Sequence, residues 1–121
     1  LKSKEKVIYG ISSRDDIINV LPPEVYEAYA ISRVKKNIQS RWIYTSKNGP
    51  IGPDKDEKFL THQKFISAEE LPFSADITIF DDSVAITALG GKLSSTIIQH
   101  MDVANSFRGL FNYVWKLADK V

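Results

Sequence analysis

The sequence predicts an α/β (α+β) fold, a mixed β-sheet covered by helices and closed by an amphipathic C-terminal helix. Three observations lead there. Short runs rich in Val, Ile, Thr and aromatic residues recur between turn-formers. Two helical stretches fall between the first two of these runs, and a long one follows the last. Finally, Val103, Phe107, Leu110, Phe111, Val114 and Ala118 step at the helical period, with Trp115 on their flank. The 121 residues, 43% of them hydrophobic, suffice for one domain over 1–121 with a real core.

In chain order, residues 6–13 read as a buried strand ending in turn-formers. Ser13 or Asp15 then caps a short helix carrying Ile17, Ile18, Val20 and Leu21. Pro22 and Pro23 break it, because proline disfavours helix in the residue before it and lacks the amide donor. A second helix is expected over 24–37, with Val25, Tyr29 and Ser32 forming one stripe and Ala28, Ile31 and Val34 a neighbouring one. Arg33, Lys35 and Lys36 sit in its last turn, where cations suit the negative end of the helix dipole. Residues 39–46 form the next strand. Residues 47–58 hold two glycines, two prolines and six charges, the pattern of a loop and the region expected to be most mobile. Residues 61–68 read as a strand and 69–74 as a turn. Alternation in 75–89 around Asp81-Asp82-Ser83 predicts a β-hairpin. Gly90-Gly91 turns into a strand over 93–99. Asp102 opens the final helix over 102–118, and Lys116 and Lys120 close it, both matching the dipole.

Composition mostly removes functions. Sixteen basic and fifteen acidic side chains leave a net charge of +1, far from the basic excess of an electrostatic nucleic-acid binder. The absence of cysteine excludes disulfides, Cys-ligated metals and thiol nucleophiles, and fits a cytoplasmic protein. No apolar run approaches the ~18 residues of a membrane span, and residues 1–6 lack the apolar segment of a signal peptide. The chain starts at Leu1 without an initiator methionine, as expected of a piece of a longer protein.

Few residues offer chemistry. His62 and His100 lack the clustered partners of a metal site, so no metal is expected, and no cofactor motif occurs. Asp81-Asp82 belongs to a solvated turn, whereas acid–base work needs a carboxyl buried enough to shift its pKa. Between Ala28 and Pro53 stand Arg33, Lys35, Lys36, Arg41 and Lys47 with no acid, interleaved with Tyr29, Trp42 and Tyr44. Arginine forks among aromatics suit a phosphate, a sugar acid or a nucleic acid. Cations placed for the dipole at a helix C-terminus are the ordinary explanation of the same pattern.

The segments Ala75-Asp-Ile-Thr-Ile-Phe-Asp-Asp-Ser-Val-Ala-Ile86, Ser95-Thr-Ile-Ile-Gln99 and Phe107-Arg-Gly-Leu-Phe-Asn-Tyr-Val-Trp-Lys-Leu-Ala118 together resemble the effector domain of TrmB-like transcription regulators. That family has an acidic D-x-V-A-I hairpin turn, a strand, and a closing R-x-x-F-x-x-x-W helix. Here the helix motif is Arg108, Phe111 and Trp115. The strand ending near Gly10, the helix with Arg33 and the strand with Arg41-Trp42-Ile43 extend the resemblance over most of the chain, residues 47–58 excepted. The resemblance implies a phospholipase D-like half-fold that follows a DNA-binding winged helix, so that DNA is a partner only through that absent domain. The phospholipase D signature H-x-K-x-x-x-x-D falls on Ala75, Ile77 and Asp82. Alanine supplies no nucleophile and isoleucine no charge, so the fold is expected without its catalysis.

The expected function is therefore a non-enzymatic effector-binding domain and homodimer, sensing a small molecule such as a sugar or a phosphorylated metabolite. Ligand contacts are expected from Arg33 and Arg41 as forked donors, from Asp76 as acceptor of sugar hydroxyls, and from His100. A divergent phosphodiester hydrolase relying on His62 or His100 and a ligand-free structural dimer are the alternatives.

Overall fold

A computed structural model describes residues 6–119. The elements follow in the order β1 (Val7–Ser13), α1 (Arg14–Ile17), α2 (Pro23–Lys35), β2 (Gln39–Ser46), β3 (Lys55–Asp56), β4 (Thr61–Ser67), β5 (Ala75–Phe80), β6 (Ser83–Ala88), β7 (Ser94–Gln99) and α3 (Met101–Ala118). All strands join one sheet of order β3-β4-β2-β1-β5-β6-β7. Its centre, β1, β2 and β4, is parallel, while β3 and the β5–β6–β7 meander pair antiparallel. The fold is thus the mixed sheet with helices that the sequence predicts, C-terminal helix included. Among the described residues no helix is long and apolar enough to cross a membrane.

Alternation assigns the two faces of the sheet. Ile43, Ile66, Ile79 and Val84 come from four strands to one face and meet Ala104 and Phe111 of α3. Tyr9, Ile77, Ile86, Phe107 and Trp115 extend this core, with the Tyr9 ring edge-on to Phe111 at 5.1 Å and Phe111 stacked on Trp115 at 5.5 Å. The opposite face carries Gly10, Trp42, Gln63 and Thr78, which lie in register across four strands beneath α1 and α2.

Several local expectations change. The 47–58 loop contains the two-residue strand β3. The first helix ends at Ile17, four residues before Leu21. The side chain capping α3 is that of His100, whose Nδ1 accepts the Asp102 amide at 3.1 Å; Asp102 lies inside the first turn. Leu110 is 62% exposed and Trp115 packs in the core, so the buried face is rotated towards Ala104, Arg108 and Phe111. On α2 neither apolar stripe is buried: Val25, Tyr29 and Ile31 are exposed, and Ala30 and Arg33 face inward. A polar side chain at the centre of the buried face defeats a reading based on hydrophobic period. The expected first six residues, apart from Lys6, and the closing Lys120 lie outside the described residues.

Candidate functional site

Between α1, α2 and the sheet face opposite α3 lies a cavity of about 510 Å³. That is the size range of small-molecule sites, ~300–1,000 Å³. Its floor is Trp42 with Gln63 beside it, and its walls include Ile17, Ile18 and Leu21 from the first helical segment and Tyr26 and Ala30 from α2. Arg14, Glu27, Asp56 and Lys58 give the lining charges of both signs.

Trp42 faces this cavity because Ile43, its neighbour on β2, is committed to the α3 core. On the adjacent strand stands Gly10, where a Cβ would lie 3.5 Å from the indole Cδ1; any longer side chain there would compete with the ring for space. Behind Trp42 the rings continue, Tyr44 at 5.1 Å and Phe65 at 5.6 Å from Tyr44. This row forms an aromatic base.

The remaining wall is the 47–60 segment, and hydrogen bonds fasten both of its ends. The hydroxyl of buried Tyr44 accepts the Ile51 amide at 2.7 Å. Gln63 Nε2 donates to the carbonyls of Ile51 and Pro53 at 2.9 and 3.1 Å. At the far end Arg33, only 3% exposed, donates to Ile38 O at 2.6 Å, to Phe59 O at 2.7 Å and to Thr61 Oγ1 at 3.2 Å. The segment expected to be the most mobile is thus tied to the sheet at several points.

Burial also shapes the ionisation of this face. Desolvation by the surrounding protein pushes the Tyr26 and Tyr29 phenols, whose side chains stay partly exposed, above their ordinary pKa, with Arg33 opposing the shift and Asp76 adding to it. Burial likewise lowers the pKa of Arg33, partly offset by the two tyrosines. With their pKa values raised, both phenols stay protonated at neutral pH and offer hydrogen bonds on this face.

The structure separates the four residues expected to bind ligand. Arg33 lies behind the cavity wall and positions Phe59 and Thr61, both of which line it. Asp76, the second residue of β5, lies on the same sheet face, accepting from Ser12 Oγ and from Thr78 Oγ1 at 3.0 Å. Arg41 is carried by the neighbouring strand position to Trp42 and so projects from the other face. His100 caps α3, with its backbone amide donating to Asp82 O at 2.8 Å. The residues that line the cavity, Trp42, Tyr26, Gln63, Arg14 and Lys58, were not among those expected. Strict alternation through 39–46 was the available signal, since it places Arg41 and Trp42 on opposite faces.

The two histidines do not meet either. The His62 ring sits edge-on to Trp115 at 4.9 Å, near the end of α3, while His100 precedes its first residue. At ~1.5 Å per residue the two ends of that span are ~20 Å apart. Of the phospholipase D signature positions, Ile77 packs against the core, and Asp82 sits in the hairpin turn accepting from Ser83 Oγ and Gln99 Nε2. Among the described residues no three His, Asp or Glu side chains are grouped as metal ligands. Comparison with protein families, with curated proteins and with solved structures gives no match to this chain.

Proposed function

We propose that this chain is the effector-binding and dimerisation domain of a cytoplasmic, TrmB-like transcription regulator with a phospholipase D-like half-fold. It takes a small polar metabolite such as a sugar into the Trp42 cavity without converting it. The observation that carries this reading is the indole floor under a cavity of about 510 Å³ with mixed-charge lining. A sugar ring presents C–H groups on its faces and hydroxyls around its edge. An indole accommodates the former, and Gln63, Glu27, Asp56, Arg14 and Lys58 suit the latter. A hydrolase of this fold would need an activated nucleophile, and the separation of His62 from His100 weighs against a shared catalytic cleft. Ligand in this cavity touches α1, α2 and the 47–60 segment together. Its binding free energy therefore acts on their relative positions and, through a dimer, on the spacing of DNA-binding heads.

The test is a fluorescence titration with mono- and disaccharides and hexose phosphates. A Trp115→Phe background leaves Trp42 as the sole indole. A saturable change in Trp42 emission is expected, lost or weakened about tenfold by Gln63→Ala and unaffected by Arg41→Ala; tenfold corresponds to ~1.4 kcal/mol. No response to any of these compounds, or a ligand that binds equally well after Trp42→Ala by calorimetry, would overturn the reading.

A further inference from the structure

Arg41 has a different setting from the cavity. In the sheet register it pairs with His62 on β4, and His62 pairs with Lys55 on β3. Three basic side chains therefore stand in one row across three strands, ~10 Å wide at the usual strand spacing. Lys64, two residues along β4 on the same face, adds a fourth. Two permanent cations, Arg41 and Lys55, thus flank the His62 imidazole, with no opposite charge in register between them. Lys64 has its own partners, Asp119 at 2.8 Å and the Trp115 ring at 4.4 Å. Arg41, Lys55 and His62 have no carboxylate within ion-pair distance among the described residues.

The three line a surface hollow of about 420 Å³ together with Gln39, Asp56 and Glu57. We infer that this hollow binds a phosphate group, with Arg41 as a forked donor, Lys55 as a point charge and His62 as the third donor. The two carboxylates that line it make no ion pair with these cations. Asp56 borders the hollow from β3, and its Oδ1 is engaged by the Lys58 amide at 3.1 Å. Glu57 lines the hollow from the turn after β3, and Asp54 favours the His62 imidazolium. That attraction is outweighed: desolvation first, then Lys55, Lys64 and Arg41, hold His62 below its ordinary pKa. A dianion seated among these cations reverses the balance, so binding draws a proton onto His62 and raises its pKa. The Arg41–His62–Lys55 row lies on the sheet face opposite Trp42, with Asp56 and Thr61 bordering both hollows, and the proposal stands independently of the reading given to the cavity.

The experiment is an NMR titration of the His62 imidazole in a His100→Asn background, which retains a capping side chain on α3. Sodium phosphate, phenyl phosphate and, at matched ionic strength, sodium chloride are compared. The expected result is a saturable His62 shift and a raised His62 pKa with phosphate but not with chloride. Arg41→Gln and Lys55→Gln, both at exposed positions, should each weaken binding about fivefold, and Trp42→Ala should leave it unchanged. Tighter binding of phenyl phosphate identifies a phosphomonoester as the ligand, and equal binding identifies free phosphate. Equal shifts with chloride, or an Arg41→Gln/Lys55→Gln double variant that binds like the parent, would overturn the proposal.

Discussion

Helices α2 and α3 cover opposite faces of one sheet and are held there by different forces. Helix α3 is fixed by apolar contact: Phe111 and Ala104 are fully buried, and the core continues through Phe107, Val114 and Trp115. Helix α2 leaves Val25, Tyr26, Tyr29 and Ile31 exposed and is pinned near its C-terminal end by the guanidinium of Arg33. Apolar contact is non-directional and rewards every atom that joins it, so it closes a face completely. A few directional hydrogen bonds fix a helix at one place and leave space elsewhere. The space left beneath α2 is the Trp42 cavity. The difference between the helices is thus the difference between a face packed shut and a face that keeps a cavity.

Breaking the packed face should have the largest effect. Phe111→Ala removes a ring buried against Tyr9 and Trp115 and should cost about 3–5 kcal/mol in chemical denaturation. A smaller loss, with Arg33→Ala costing more, would reverse the comparison. Arg33→Ala leaves the Ile38 and Phe59 carbonyls without their charged donor and should cost about 2–3 kcal/mol. It should also weaken any ligand of the cavity, since Phe59 and Thr61 lose their support. Arg33→Lys should recover only part of the stability, because a single ammonium does not reproduce the fork that spans these acceptors. The smallest effect is expected from Val25→Ser and Leu110→Ser. Both residues are at least half exposed, and each change should stay within about 0.5 kcal/mol in the same measurement.

The local elements were legible because their signals are local. Residues 39–46 and the 75–89 hairpin carry the alternation and turn residues of strands, and the observed boundaries of β2 agree. Asp81, the first residue of the two-residue turn, has a φ of 53°, a conformation that aspartate tolerates better than most side chains. The inward face of α2 was not legible. Its centre is an arginine whose partners, Phe59 and Thr61, lie 26 and 28 residues away. The expected binding residues scattered for the same reason. Nearness in sequence grouped Arg41 with Trp42 and Arg33, whereas the pleat sends Arg41 to the opposite face and the helix turns Arg33 inward.

Periodicity, turn preference and composition are properties of neighbouring residues, and they suffice for the class of the fold, the strand and helix periods and the lack of thiols. Which strands adjoin is a matter of long-range packing. Placing β1 between β2 and β5 brings Ser12 to Asp76, 64 positions away, and opens the Trp42 face under α2. Pairing β4 with both β2 and β3 lines up Arg41, His62 and Lys55. Such neighbours are made by long-range strand pairing, whose order is set by the packing of the whole sheet against α3 and α2.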